Sequence, residues 1–208
     1  MDGKLTDLTC VEFADVLAAK ESVPGGGGAA ALAGALGVAL CSMVGNFTTG
    51  KKTYAAYQED VERMLAQGEA IRTRLLELVE EDAAAFYPLS QAYGIPREDP
   101  TRAEVLEAAT KAACAAPVEM MRQICDAIEL LEEMLEKGSR MLVSDVGCGA
   151  YLSAAALKSA SLNVFVNTKT VADREWAEGV ESEVDAMLAE YGPRAKAVAD
   201  AVASRIRG

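Results

Sequence analysis

Apolar positions recur at helical spacing over most of the chain and almost nowhere alternate. The first such stretch opens at Thr9 and Glu12, whose spacing is that of a capping box, and predicts a helix from Cys10 to about Lys20. Pro24 and the glycines at 25–28 then break the chain. A second helix is expected from Ala29 to about Phe47, along which Ala29, Ala33, Gly37, Cys41 and Gly45 recur every four residues. Such a stripe of small residues lets another backbone approach closely, within the subunit or across a dimer. Thr48 to Lys52 is a polar turn. A long pattern then runs from Thr53 to about Tyr93, with Val61, Leu65, Leu75 and Val79 on its apolar face and Gly68 marking a point where it can bend. Gly94-Ile95-Pro96 stops it. Thr101 and Glu104 repeat the capping-box spacing at the start of a fourth helix. Pro117 interrupts that helix, and a further one reaches about Glu136 before Gly138. Ser144-Asp145 opens another small-residue helix ending near Asn163, and two C-terminal helices are separated by Gly192-Pro193. The strongest strand signal, Leu162 to Val166, is too short to make a sheet. The pattern therefore predicts an all-α, single-domain bundle of seven to eight helices over residues 1–208.

Composition agrees. Alanine is the commonest residue and aromatics are only 5%, which favours closely packed helices over sheets. A chain of 208 residues can bury its own core without disulfides or metals. With Lys+Arg 20 against Asp+Glu 32, the net charge is −12, and no basic stripe is present, so nucleic acid is not an expected partner. There is no histidine at all, which removes Ser-His-Asp and Cys-His hydrolases and the usual histidine zinc sites. Any chemistry must come from Asp, Glu, Lys, Tyr, Cys or backbone groups. The 5 cysteines are odd in number and form no C-x-x-C, so buried free thiols in a reducing, cytoplasmic setting are expected. The N-terminal Met1-Asp2-Gly3-Lys4 start has no apolar run and does not read as a signal peptide. No charge occurs between Glu21 and Lys51, a length that could span a bilayer. Its Ala and Gly content reads instead as a buried central helix, with no membrane partner.

Five segments could carry chemistry. Pro24 and glycines 25–28 directly precede a helix start, where free N–H groups and the positive end of the dipole can receive an anion; a flexible loop is the plain alternative. Lys51 and Lys52, with Tyr54 just after, could anchor an anion or merely compensate a helix C-terminus. Asp82 falls three residues after Val79 and four before Phe86, so it shares their apolar face; a carboxylate there must be paired or functional. Asp145 can cap a helix. Asn163 and Asn167, one turn apart if helical, can pair backbone groups or a polar ligand.

Taken together these segments resemble the cyclodeaminase/cyclohydrolase family. The residues that carry the likeness are Pro24 to Leu32, Gly34 to Gly37, Met43-Val44, Thr49 to Tyr54, Asp82 to Phe86, Pro96, Ser144-Asp145, Leu162 to Val164 and Asn167. Gly28 departs from it, since the family more often has Ser there, as do Gly138 to Arg140. The resemblance implies an all-α fold, a homodimer, and one-carbon chemistry on tetrahydrofolate without metal or organic cofactor. It implies Asp82 as the catalytic carboxylate and Lys51 as a second catalytic group. Pro24, Gly25, Gly26, Gly27, Gly28, Lys52, Tyr54, Asp145 and Asn163 would bind substrate. Hydrolysis of 5,10-methenyltetrahydrofolate to the 10-formyl compound is the favoured reaction. The cyclodeaminase reaction, which releases ammonia from the 5-formimino compound, is the alternative, with a separate formiminotransferase supplying substrate. A non-catalytic folate-binding or dimerisation module is the third reading.

Overall fold

A computed structural model describes residues 3–208. Seven α-helices are found among them: α1 Cys10–Ala18, α2 Gly26–Thr48, α3 Gln58–Tyr93, α4 Arg102–Ala113, α5 Ala115–Lys137, α6 Val143–Thr168 and α7 Arg174–Arg207. Three short 3-10 helices complete the regular structure, and no strand is present among the described residues. α1 starts on the expected capping box. The Glu12 N–H donates to Thr9 Oγ1 at 3.2 Å, and the Thr9 N–H donates to Glu12 Oε2 at 2.8 Å. The same spacing at Thr101 and Glu104 makes no box. Asp99 instead accepts both the N–H and the hydroxyl of Thr101.

Several boundaries differ from the sequence pattern, each for a physical reason. Glycines 26–28 are the first turn of α2 rather than a loop, with Gly25 as N-cap. The break between the fourth and fifth helices falls at Cys114, and Pro117 lies in the first turn of α5, where its missing N–H costs nothing. Leu162 to Val166 continues α6. α7 runs unbroken through Gly192-Pro193, because Val184 before it and Ala195, Val198, Ala199 and Val202 after it bury one continuous face. α3 likewise passes straight through Gly68.

The core sits where α2 packs against α3, α5 and α6, with α7 closing the far side of α6. Met120, Met121, Ile124, Ile128 and Leu131 of α5 are fully enclosed there. α2 is long and apolar enough to cross a bilayer, but more than half of that stretch is buried inside the bundle. Its small-residue stripe does not all face one way. Each four-residue step rotates the position by about 40° around the axis. Gly37, Cys41 and Gly45 therefore point into the core while Ala29 and Ala33 remain half-buried at the outside.

The tightest crossing is between α2 and α6. A Cβ on Gly37 would stand 2.7 Å from Ser153 Oγ and 3.1 Å from the Gly149 carbonyl oxygen. Backbone cannot retreat from it cheaply, so Gly37→Ala is expected to destabilise the bundle by about 1–3 kcal/mol in denaturant unfolding. No loss of stability would mean that these helices are not in such close contact.

Candidate active site

α3 crosses the N-terminus of α2 near Asp82, and the two helices are in contact because glycine leaves room. A Cβ on Gly27 would lie 2.5 Å from Asp82 Cγ and Oδ2 and closer still to Oδ1, so the carboxylate occupies the space a side chain would need. The adjoining cleft has a volume of about 190 Å³. Gly25, Gly26 and Gly27 form one wall and Asp82, Phe86 and Leu89 of α3 another. Asn163, Val166 and Asn167 of α6 form a third, with Ser22, Val23, Ala113 and Pro117 filling the rest. Pro24 and Gly28 lie buried just beneath, in contact with each other's space.

Asp82 is half-buried, and burial pushes its carboxyl above the ordinary carboxylate value, while the nearby N–H of Gly28 pulls in the opposite direction. The first turn of α2 leaves its N–H groups without intrahelical partners, and the helix dipole points its positive end at the same place. The group is thus held between an environment that favours its proton and one that favours its charge. That is the condition for a carboxyl that takes and returns a proton. Asn163 Oδ1 and Nδ2 lie over Gly26, 3.2 and 3.5 Å from where its Cβ would be. Nδ2 donates to the Ser159 carbonyl at 2.8 Å, which turns Oδ1 toward the glycines as an acceptor. Asn167 stands beside Cys114, whose thiol is pushed up to about 11 by burial, with Asn167 lowering it in part. A thiol so protonated is not a nucleophile at neutral pH.

The remaining expected site residues are elsewhere. Lys51 and Lys52 follow the other end of α2, exposed, about 34 Å from the glycines by the length of a 23-residue helix. Tyr54 joins them: its hydroxyl accepts from the Arg140 N–H at 3.0 Å. Asp145 lies in the first turn of α6, some 27 Å along that helix from Asn163. One chain therefore brings Asp82, the glycines and Asn163 together, and keeps Lys51, Lys52, Tyr54 and Asp145 away from them. Sequence reasoning passed over Ser22, Leu89 and Val166 as lining residues. Val166 and Asn163 share one α6 face by their spacing of three, which was the available signal. Among the described residues no group of three or more Cys, Asp or Glu side chains converges as metal ligands.

These features define an all-helical protein with a cleft whose one carboxyl, Asp82, stands against a glycine helix start. A family profile described as formiminotransferase-cyclodeaminase matches residues 9–186. The chain belongs to that family. It is 38% identical over 202 residues to the methenyltetrahydrofolate cyclohydrolase of Methylorubrum extorquens, covering 95% of this chain and 97% of that one. It is 28% identical to the mouse formimidoyltransferase-cyclodeaminase over 98% of this chain, but spans only 38% of that protein. The crystal structure of formiminotetrahydrofolate cyclodeaminase from Thermotoga maritima superposes with a TM-score of 0.85 at 29% identity, covering 96% of this chain and all of that one. Both kinds of named relative are enzymes.

Proposed function

We propose that this chain is a tetrahydrofolate one-carbon enzyme that hydrolyses 5,10-methenyltetrahydrofolate to 10-formyltetrahydrofolate, with Asp82 as its acid–base group. The observation that carries this reading is the raised, half-buried carboxyl of Asp82 set against Gly27 at the start of α2. The near end-to-end likeness to a cyclohydrolase supports the choice of reaction.

The methenyl carbon is already cationic, so water can add to it without a Lewis acid, and neither metal nor organic cofactor is required. Asp82 accepts a proton as the water oxygen bonds to that carbon. The tetrahedral adduct then breaks its bond to N5, and Asp82 returns a proton to N5 as it leaves. One proton is released overall and the formyl group stays on N10. Placing the acid–base group at hydrogen-bond distance is worth on the order of 10²–10⁴-fold. In this reading the glycine N–H groups and Asn163 Oδ1, which lies over Gly26, bind the polar edge of the pterin.

The likeness to the Thermotoga maritima cyclodeaminase favours a second reading at the same carboxyl. In it N10 attacks the 5-formimino carbon, ammonia leaves, and the methenyl compound forms, with a separate transferase making the substrate. The methenyl chromophore separates the two: the cyclohydrolase consumes it and the cyclodeaminase produces it. We expect purified protein to bleach it. Production from the 5-formimino compound without bleaching overturns the first reading, and turnover of neither substrate leaves a non-catalytic helical module.

A further inference from the structure

We propose that Phe86 makes the Asp82 cleft selective for a planar amidinium cation, which lies against the Phe86 ring while Asp82, one helical turn away, meets its charge. For folates the proposal rests on the reading of Asp82 given above. The preference for an amidinium over a neutral group of the same shape stands without it.

The first ground is the sign of the charge facing the cleft. Among the described residues that line it there is no Lys or Arg, and Asp82 is the one carboxylate. Asn163 spends its Nδ2 on the Ser159 carbonyl and turns Oδ1, a partial negative charge, toward the glycines. Ser22 and Asn167, the other polar lining, are uncharged. The N–H groups at the start of α2 would draw an anion, but Asp82 already stands on them, and the Gly28 N–H stabilises its charge. A carboxylate that burial disfavours gains most from a cation brought into contact with it.

The second ground is the position of Phe86. It is the one aromatic side chain of the cleft and follows Asp82 by four residues on α3. Residues so spaced have Cβ atoms roughly 5–6 Å apart on one helix face. A planar cation within about 6 Å of the ring centroid, the range of a cation–π contact, therefore stands beside the carboxylate as well. Val79, one turn before Asp82 on that face, is enclosed in the core. Phe86 is 36% exposed, so the packing of the bundle leaves part of its ring free.

The third ground is what fits. At about 190 Å³ the cleft lies below the roughly 300 Å³ at which pockets for drug-sized ligands begin, so it holds one small planar group rather than a whole folate. Both candidate substrates offer such a group. The methenyl carbon between N5 and N10 belongs to an amidinium, and so does the 5-formimino group once protonated. The 10-formyl compound is neutral there. In hydrolysis the contact weakens as the carbon becomes tetrahedral and loses its charge, so Phe86 adds to affinity for the cation rather than to rate.

Titration with benzamidinium and its neutral isostere benzamide tests this, since neither is turned over. Wild type is expected to prefer benzamidinium. Phe86→Leu, which keeps apolar bulk, should cut that preference about 3–10-fold, and Phe86→Tyr, which keeps the ring, should retain it. Circular dichroism checks the fold, and Phe86→Met replaces a Leu variant that loses helix. With 5,10-methenyltetrahydrofolate, Phe86→Leu should raise KM by the same factor without lowering kcat. A wild type that binds both probes alike, or a Leu variant that keeps the full preference, overturns the proposal. So does an equal loss of both probes, which would make Phe86 a packing residue. If wild type prefers benzamidinium and turns over neither folate, the functional reading fails and the cation site stands.

Discussion

Asp82→Asn is expected to lower turnover by about 10²–10⁴-fold without loss of fold, the range that a positioned acid–base group contributes. The substitution keeps the shape that fits against Gly27 and removes only the ability to exchange a proton. Its effect on stability runs the other way from its effect on activity. Burial holds the folded-state pKa of Asp82 above its ordinary 3.8. A carboxyl raised on folding adds stability that is complete below the unfolded value and is lost as pH rises through the folded one. At acid pH wild type and variant should therefore melt alike. At pH 7 the variant should melt at or above wild type, since it no longer carries a half-buried charge. Wild-type hydrolysis should fall in acid starting from a higher pH than an ordinary carboxylate would give. Thermal melts and a pH–rate profile check both signs. An Asn variant that turns over normally removes Asp82 from the chemistry.

Much of this was legible in the chain. The helix face shared by Val79, Asp82 and Phe86 singled out the carboxyl that the structure sets in the cleft, because a period of 3.6 residues is a local property. The capping box of α1 was legible for the same reason. What misled was local propensity overridden by packing. Glycines 25–28 read as a loop because glycine is a poor helix former. In the structure Gly26–Gly28 start α2, and Gly27 leaves the space that Asp82 fills. Leu162 to Val166 carried the strongest strand signal, and the helix before it was expected to end near Asn163, yet these residues complete α6 and carry Asn163 to the cleft. The separation of Lys51 from Asp82 was in fact readable. A helix from Ala29 to Phe47 must hold its two ends nearly 30 Å apart, so motifs at those ends meet only by another route.

Gly27→Ala is the sharpest test of the geometry, because its effects on stability and on turnover should separate. The added Cβ would lie 2.5 Å from Asp82 Cγ, well inside van der Waals contact, so the carboxyl must move by about 1 Å. A misplacement of that size costs a catalytic group on the order of 10²-fold. Stability should change far less. Ala in place of Gly in a helix gains about 0.5–1 kcal/mol, which offsets much of the strain of pushing one half-buried side chain aside. Gly179→Ala is the matching control. It too lies within a helix, α7, but its Cβ would meet nothing within 4 Å. It should gain the same helical stabilisation with turnover unchanged. The pair thus distinguishes a general effect of stiffening the backbone from a specific displacement of Asp82. If Gly27→Ala keeps wild-type turnover, the carboxyl does not need to be where the structure puts it, and the proton must travel by another group.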